Sequence, residues 1–287
     1  MSTLKFPIRS DKLQYDVAYK NHVSFLKTDF QQIDVYDTYA FGKVLLLDGH
    51  IQLTELDEHC YHEALVHPAM FSLESPKRAL IVGGGDGGAL RELVKHTSLE
   101  TIEIVEIDEG VIETCKTHLP NISANAFDDP RVVVHIADAF EFAKNVGNPY
   151  DIIIMDVTDV YEEDDESLSE ALFGDEFHRD ICNALSESGF LVTQADNLVF
   201  CPYSLDGILS MLDRYFNNTG SYWALVPSFG GFSGFAWASH SQAIKQEMPP
   251  TPIPLRYLNA TTYALGMGPV PAQADVEPLR SILEENP

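Results

Sequence analysis

Two carboxylates that directly follow an apolar run have the types and spacing for proton-transfer chemistry. Asp156 and Asp159 come after the run 151–155, which is typical of a buried strand. Such a pair can bind an alkylammonium and remove its proton, which an amine with a pKa of about 10.4 must lose before it acts as a nucleophile. We therefore predict that the pair of Asp156 and Asp159 binds an amine and removes its proton. The alternative is a solvated acidic loop, which the segment 161–166 resembles.

A third carboxylate, Asp86, lies within a glycine-rich turn. Five of the six residues at 83–88 are glycine, and Asp86 is the exception. Glycine lets a ligand approach the backbone at a helix N-terminus, as in nucleotide-binding α/β folds. A carboxylate there repels anions and favours a cation. The turn therefore predicts a nucleoside ligand with a positive charge. The alternative is a tight strand-to-helix turn that binds nothing.

Acidic residues also follow the next two strands predicted along the chain. Glu106 lies about twenty residues beyond the glycine-rich turn, the spacing at which a carboxylate binds ribose hydroxyls. Glu106 could instead cap the following helix, although Asp108 is better placed for that. Asp138 could hold an adenine amino group or only cap its own helix. The residues alone leave these two roles of Asp138 open.

Alternating strands and helices must hold these acidic residues together. Strands are predicted at 79–82, 101–107, 132–136, 151–155 and 189–194, and helices at 89–95, 110–117, 139–144, 174–185 and 203–215. Continuous apolar runs such as 132–136 and 151–155 are typical of parallel strands covered on both faces. The carboxyl ends of such strands form the edge where α/β folds bind ligands. We therefore predict a doubly wound, Rossmann-like α/β sheet.

A small antiparallel β domain is predicted before this sheet. Short strands are expected at 23–27, 32–36 and 42–53, and Asp48 followed by Gly49 is a signal for a type I′ hairpin. A helix is then predicted at 55–68. We place the boundary near Glu55, which gives a β domain at 1–55 and a Rossmann-like catalytic domain at 56–287. The segment after 247 is expected to be irregular, with a short acidic helix near 276–285.

The composition restricts the partners and the compartment. The net charge of −26 over 287 residues argues against nucleic acid, whose phosphates require clustered Lys and Arg. The charge would suit a cationic substrate, or it could only keep the protein soluble. The four scattered cysteines fit a reducing compartment. The N-terminus lacks the apolar core of a signal peptide, and no apolar run reaches the roughly 18 residues of a membrane span. We therefore expect a cytoplasmic protein without a membrane partner.

Several motifs in order along the chain resemble one known family. They are the segments 28–31, 47–49, 61–63, 83–88, 105–108, 127–132, 156–159 and 235–238, together with Gln194. Together they resemble the polyamine aminopropyltransferases, the spermidine synthase family. The resemblance implies a methyltransferase-type Rossmann domain behind a small β domain, and a homodimer or homotetramer. It also implies transfer of the aminopropyl group of decarboxylated S-adenosylmethionine to an amine, with release of methylthioadenosine.

The resemblance further implies roles for individual residues. The donor would be bound by Gln31, Gly83, Gly85, Asp86, Glu106, Asp138 and Ala139, with Glu106 at its ribose and Asp138 at its adenine. The polyamine would be bound by Tyr61, His62, Asp86, Asp156, Asp159, Gln194 and Phe229. Asp156 would be the catalytic proton acceptor. The donor is a co-substrate, so no cofactor and no metal are expected. His62 and His67 are also one residue too far apart for an HExxH zinc motif.

The departures from the family pattern concern the acceptor. Val160 replaces a proline and precedes a longer acidic loop at 161–170, Ala139 stands where glycine is usual, and Phe229 stands where a tyrosine often lines the amine site. Putrescine, held between Asp159 and the region of His62 and Glu63, is the first expectation. A longer amine, such as spermidine or agmatine, is the second.

Two other functions remain alternatives at this point. A methyltransferase could use intact S-adenosylmethionine on the same fold, although Asp86 in the glycine-rich turn argues against it. A polyamine-binding regulatory protein is the other alternative. The presence of both Asp156 and Asp159 argues against that function.

Overall fold

A five-stranded antiparallel sheet forms the N-terminal part of the protein. The computed structural model describes residues 2–9, 13–157 and 175–269. The five strands are β1 (Thr3–Arg9), β2 (Leu13–Lys27), β3 (Gln32–Thr38), β4 (Gly42–Leu47) and β5 (His50–Thr54), and they lie in this order in the sheet. Between β4 and β5, Asp48 and Gly49 have φ angles of 47° and 83°. Positive φ at both positions is the signature of the predicted type I′ hairpin.

The sequence analysis missed β1 and the first part of β2. The predicted strand at 23–27 is only the end of β2, which has 15 residues. Val17 is the one buried residue of β2, so most of this strand lacks the apolar alternation that reveals a strand. Strand β1 contains Pro7 and lies at the edge of the sheet, where proline is tolerated.

A seven-stranded sheet forms the larger part of the protein. Its strands are β6 (Arg78–Gly83), β7 (Thr101–Glu106), β8 (Val132–Ile136), β9 (Tyr150–Asp156), β10 (Leu185–Asn197), β11 (Asn218–Val226) and β12 (Gly231–Ser239). The order across the sheet is β11-β12-β10-β9-β6-β7-β8. Strands β6 to β10 pair in parallel, and β12 joins β10 and β11 antiparallel. This is the predicted doubly wound α/β sheet with an added antiparallel edge.

Helices cover both faces of this sheet. They are α1 (Glu58–Ser72), α2 (Gly88–Val94), α3 (Glu109–His118), α4 (Pro120–Ser123), α5 (Ala139–Ala143), α6 (Asp175–Ala184), α7 (Pro202–Leu212) and α8 (Ala260–Gly266). Ile81 and Ile154 pack in the core on the face of α1 and α2, whereas Leu80 and Ile153 pack on the face of α6 and α7. Within the described ranges, no helix is long and apolar enough to cross a bilayer.

Helix α1 continues past the proline at which we expected it to end. Pro68 has no N–H, so the carbonyl of Ala64 loses its helical hydrogen-bond partner. The hydroxyl of Tyr222 on β11 donates to that carbonyl at 2.8 Å. This contact satisfies the buried carbonyl, and the helix runs on to Ser72. Helix α1 therefore keeps its full length against the sheet.

The strand order reverses between β6 and β9. The chain runs from β6 to β7 and β8 on one side and then returns to β9 on the other side of β6. At the carboxyl ends of these two neighbours, Gly83 pairs with Asp156. Such a reversal point is where open α/β sheets bind their ligands. The fold therefore brings the glycine-rich turn and Asp156 together.

Candidate functional site

Asp156, the last residue of β9, has one carboxylate oxygen free at the edge of the sheet. Its Oδ1 accepts a hydrogen bond from the Tyr61 hydroxyl at 2.7 Å. Its Oδ2 is buried and has no hydrogen-bond partner among the described residues. Burial, reinforced by the negative charge of Asp86, raises the pKa of Asp156 to about 6. A buried carboxylate oxygen without a partner is suited to accept a proton or an N–H group from a ligand.

His62 lies between two carboxylates beside Asp156. Its Nδ1 is 2.8 Å from Oε2 of Glu58, and its Nε2 is 3.3 Å from Oδ1 of Asp86. Burial alone would lower the pKa of His62, but Asp86 and Glu58 raise it to about 10. Burial would raise the pKa of Asp86, but His62 and the backbone N–H of Gly88 lower it. His62 is therefore an imidazolium that donates from both nitrogens, and Asp86 is ionised.

These groups lie close enough together to contact one cation. In the part of the chain that the structure describes, His62, Asp86 and Asp156 each bring one potential ligand atom within 4.8 Å of the other two. A metal ion would need a lone pair on the imidazole, and both ring nitrogens of His62 already contact carboxylates. An ammonium needs only oxygen acceptors. Asp86 and Asp156 are thus placed to bind a cationic amine.

The glycine-rich turn allows two close approaches. Gly83 has a φ of 76°, and a Cβ there would lie 2.4 Å from the backbone oxygen of Asp156. A Cβ on Gly88 would lie 2.2 Å from the ring of His62. Next to Gly83, the N–H of Gly84 donates to the backbone oxygen of Asp156 at 2.9 Å. Glycine is therefore required for strand β9 and the His62 ring to pack against the turn.

Glu106 faces the glycine-rich turn from the end of β7. Its Oε2 accepts from the N–H of Gly85 at 3.1 Å, and its Oε1 accepts from the N–H of Asp108 at 3.0 Å. Burial raises the pKa of Glu106 to about 7, although these two N–H groups oppose the rise. Each carboxylate oxygen can accept a further hydrogen bond. The structure thus places Glu106 beside Gly85, as required for a shared donor site.

Gln31 reaches the same region from the N-terminal sheet. Its Nε2 donates to Oδ2 of Asp108 at 3.0 Å, and the Thr28 hydroxyl donates to the same oxygen at 2.8 Å. The Oδ1 of Asp108 accepts from the N–H of Gly110 at 2.9 Å and caps α3. The prediction that Asp108 caps this helix is confirmed. Through Asp108, Gln31 lies next to the strand end that carries Glu106.

Asp138 and Ala139 lie further along the edge, at the end of β8. The Oδ1 of Asp138 accepts from the N–H of Phe140 at 2.8 Å and caps α5. Asp138 is exposed, and Ala139 is half-buried at the first position of the helix. The capping role considered for Asp138 is therefore present. An exposed carboxylate at this edge can also meet a ligand.

Phe229 and Gln194 lie on the other side of Asp156. The Phe229 ring meets the Tyr61 ring edge-on, with centroids 5.7 Å apart. Asp57, just before α1, accepts from the N–H and the hydroxyl of Ser228 at 2.8 Å each, and this fixes the short turn that carries Phe229. Gln194 on β10 is buried, and its Nε2 donates to the carbonyl of Val157 at 3.3 Å. Asp159, Val160 and the acidic loop 161–170 lie outside the described residues.

We expected Glu63 to help His62 hold an amine, but Glu63 does not face the site. It is fully buried and accepts from the backbone N–H groups of Arg256, Tyr257 and Leu258 at 2.7 to 2.9 Å. One residue along a helix turns the side chain by about 100°, so Glu63 faces away from the site. It instead anchors the segment 256–258 to α1.

Two residues that contact the site were missed from the sequence. Arg91 of α2 donates from Nη1 and Nη2 to the two oxygens of Glu58 at 2.9 Å each. Glu58 in turn holds His62, which lies four residues later on the same face of α1. This i, i+4 spacing was a usable signal for Glu58. The contact of Arg91 depends on how α1 and α2 pack and had no local signal.

Family comparisons agree with this geometry. Residues 58–247 match the family model described as the spermine/spermidine synthase domain, and residues 20–55 match the spermidine synthase tetramerisation domain. The polyamine aminopropyltransferase of Pectobacterium atrosepticum is 40% identical over 221 residues, which cover 77% of this chain and 75% of the relative. That of Pyrobaculum calidifontis is 41% identical over 210 residues, which cover 72% of each chain.

Solved structures match over nearly the whole chain. Spermidine synthase from Thermotoga maritima superposes with a TM-score of 0.84 at 27% identity, covering 94% of this chain and 91% of that one. A spermidine synthase in complex with the transition state analogue AdoDATO gives the same TM-score of 0.84, with 92% of its chain covered. The matched domain spans well over half of the sequence. This chain therefore belongs to the spermine/spermidine synthase family, the polyamine aminopropyltransferases, and is a transferase.

Proposed function

We propose that this enzyme transfers the aminopropyl group of decarboxylated S-adenosylmethionine to putrescine and releases methylthioadenosine. The observation that carries the proposal is the free, buried Oδ2 of Asp156 next to the ionised Asp86 at the glycine-rich turn. This pair offers one carboxylate to bind a cation and another to take its proton. Alkylation of an amine requires both that the cation is bound and that its proton is removed.

The transfer is a displacement at the aminopropyl carbon next to the sulfonium. The acceptor nitrogen forms the new C–N bond as the C–S bond breaks, and the bonding electrons leave with sulfur as a neutral thioether. The proton lost from nitrogen passes to Oδ2 of Asp156. Because the pKa of Asp156 is about 6, the carboxylate is ionised at neutral pH and remains basic enough to act. Tyr61 keeps Oδ1 in place and leaves Oδ2 for the substrate.

The donor lies along the edge formed by β6, β7 and β8 in this proposal. The ammonium of its aminopropyl group pairs with Asp86, and an adjacent carboxylate, as in intact S-adenosylmethionine, would be repelled there. Glu106 accepts hydrogen bonds from the ribose hydroxyls. Gly83 and Gly85 have no side chain, so the nucleoside can approach their backbone. Gln31 contacts the donor next to Asp108, and Asp138 and Ala139 meet the adenine.

The acceptor lies on the opposite side of Asp156. Tyr61 and Phe229 provide an aromatic wall for the methylene chain, and His62, Gln194 and Asp159 complete the polyamine site. Putrescine is the first candidate. A longer amine, spermidine or agmatine, is the second candidate because five carboxylates at 162–166 could meet an additional cationic group.

The N-terminal sheet provides the oligomer contact in this proposal. Residues 20–55 match the tetramerisation-domain model, which supports assignment of 1–55 to assembly and of 56–287 to catalysis. Gln31 lies within residues 1–55, so the N-terminal sheet also contributes to the donor site. A homodimer or a homotetramer is expected.

Mass spectrometry of reaction products tests the proposal. The enzyme is incubated with decarboxylated or intact S-adenosylmethionine and with putrescine, spermidine or agmatine in turn. We expect methylthioadenosine and spermidine from the decarboxylated donor and putrescine. Methylated products from the intact donor would instead establish a methyltransferase. Binding of amines without any product from either donor would indicate a regulatory binding protein.

A further inference from the structure

A row of buried charged groups extends from the substrate site into the contact between α1 and α2. Beyond Asp86 and His62 come Glu58, Arg91 and Glu92, each in contact with the next. The side chains of Glu58 and Glu92 are 2% and 1% exposed, and that of Arg91 is 13% exposed. Burying charges is costly, so a row of this kind calls for an explanation beyond stability.

We propose that Glu58 and Arg91 are positioning residues that hold His62 as an Nδ1–H donor and direct its Nε2–H at Asp86. The inference rests on the proposed function of the site. It concerns the state of His62 in the free enzyme, so it can be tested without substrate.

The guanidinium of Arg91 is fixed on all sides. Its Nε donates to Glu92 at 2.7 Å, its Nη1 donates to Glu58 and to the carbonyl of Ile122, and its Nη2 donates to Glu58. A bidentate contact of this type fixes the plane of the carboxylate as well as its position. Glu58 therefore cannot rotate away from His62.

The fixed carboxylate of Glu58 keeps a proton on Nδ1 of His62. Burial would raise the pKa of Glu58, but His62 and Arg91 lower it to about 2, so Glu58 can only accept. The Nδ1 of His62, 2.8 Å from Glu58, must then be the donor. Gly88 packs directly against the ring, so the ring has little room to turn. The Nε2 is left to face Asp86.

The groups around His62 explain why it stays protonated. Glu58 faces it from α1, Asp86 from the glycine-rich turn and Asp156 from β9, while the Tyr61 ring meets it edge-on. The cation of Arg91 stands behind Glu58 on α2. Arg256 also reaches Glu58, at 3.7 Å. The three carboxylates outweigh these two cations, which lie beyond Glu58. Loss of the charge on Glu58 should therefore lower the pKa of His62.

The test is a titration of His62 in Glu58→Gln by imidazole ¹⁵N NMR, without substrate. The His62 signal is assigned as the one that is missing from the spectrum of His62→Asn. We expect the pKa of His62 to fall by about one unit or more. With decarboxylated donor and putrescine, we expect kcat/KM to fall by about 10- to 100-fold. A new loss of activity should appear as pH rises through the lowered pKa, because neutral His62 no longer offsets the negative charge of Asp86.

Two further variants separate positioning from folding. Glu92→Gln removes the carboxylate on the far side of Arg91 and should leave the titration of His62 unchanged. Glu58→Gln combined with Arg91→Met removes both buried charges, so that the Arg91 guanidinium is not left without its bidentate partner if the single variant fails to fold. A folded Glu58 variant with the parent titration and pH profile would overturn the proposal, as would an equal shift in Glu92→Gln. Inactivity of the parent with every donor would contradict only the proposed function, because the titration stands by itself.

Discussion

Asp86 and Asp156 lie side by side but differ in their tendency to hold a proton. Burial would raise the pKa of Asp86, but His62 lowers it, so Asp86 stays charged. Burial and the charge of Asp86 raise the pKa of Asp156 to about 6. Different environments thus suit the two carboxylates to the different roles that we propose, binding for Asp86 and proton transfer for Asp156.

Asp156→Asn should separate catalysis from stability. The amide keeps the shape but cannot accept a proton, so turnover should fall by about 10²- to 10⁴-fold while donor affinity stays nearly unchanged. The folded state raises the pKa of this carboxyl, so its ionisation above about pH 6 costs stability. The variant should therefore be more stable at pH 8 by about 1–3 kcal/mol.

Steady-state kinetics and urea denaturation at pH 8 and pH 5 measure these two effects. The gain in stability should shrink at pH 5, where the parent carboxyl is largely protonated. The parent enzyme should also lose activity as pH falls below about 6. Nearly full turnover in Asp156→Asn would show that the amine loses its proton elsewhere, and Asp159 would be the next candidate.

Asp86→Asn should change the choice of donor. Loss of a charge-assisted contact with the ammonium should weaken binding of decarboxylated S-adenosylmethionine by about 1.5–3 kcal/mol. Binding of intact S-adenosylmethionine should hardly weaken, because its carboxylate is no longer repelled. Calorimetry with both ligands measures the difference. Equal losses for the two donors would rule out Asp86 as the selecting residue.

At the scale of elements, the glycine-rich turn determines where Asp156 lies. Gly83→Ala places a Cβ against the backbone of Asp156 in addition to the strain of a positive φ. Displacement of a reacting group by about 1 Å can cost about 10²-fold in rate, and we expect a loss of that size. Steady-state kinetics measures the loss of turnover, and thermal denaturation measures the loss of stability.

Gly49→Ala is the matched control for this prediction. Gly49 has a φ of 83°, close to that of Gly83, but nothing lies within 4 Å of its Cβ position. It should lose about 1–2 kcal/mol of stability through backbone strain alone and keep its turnover. If both variants lose turnover equally, contact with Asp156 is not the cause.

The sequence predicted those elements whose pattern is local. The parallel strands at 79–82, 101–107, 132–136 and 151–155 were found because apolar residues dominate them. The expectation that 132–136 is covered on both faces was wrong, since β8 lies at the edge of the sheet and Val133, Val134 and Ile136 are exposed. Strand β1 was missed because Phe6 is the one buried apolar residue among 3–8 and is followed by Pro7, which argues against a strand. The prediction ended helix α1 too early, at Pro68. The helix continues because the hydroxyl of Tyr222, which is distant in sequence, satisfies the carbonyl left without a partner.

The same limit applies to the site. Asp86, Glu106 and Asp156 were identifiable because each follows a predictable strand, and the i, i+4 partner of His62 could have been found. The opposite orientation of Glu63 could not have been predicted, because it depends on backbone donors at 256–258. Arg91 likewise required knowledge of how two helices pack. Sequence patterns thus reveal residues at strand ends more readily than the contacts that orient them.

At the scale of the whole molecule, the charge should affect how substrates arrive. A net charge of −26 attracts cationic donors and acceptors, and salt screens this attraction. Between about 0.02 and 0.3 M salt, kcat/KM for spermidine or putrescine should fall by roughly 3- to 10-fold with little change in kcat. A salt-independent kcat/KM would show that the charge serves only solubility.

Replacement of Glu162, Glu163, Asp164 and Asp165 by Gln or Asn tests whether the acidic loop selects the acceptor. Each exposed carboxylate should attract a distal cationic group by roughly 0.2–1 kcal/mol. Selection predicts that the ratio of kcat/KM for spermidine to that for putrescine falls in the variant, at low and at high salt. If both substrates lose equally and salt removes the loss, the loop only speeds encounter.

The antiparallel edge of the large sheet has a consequence for protein synthesis. Strand β12 lies between β10 and β11, although the ribosome makes it after both. A nascent chain that ends near residue 230 would leave β10 with an open row of backbone donors and acceptors and β11 without the partner it has in the finished sheet. Such open edges favour pairing between chains during translation. The nine residues of β12 therefore protect the newly made protein from aggregation at the same time as they complete the sheet.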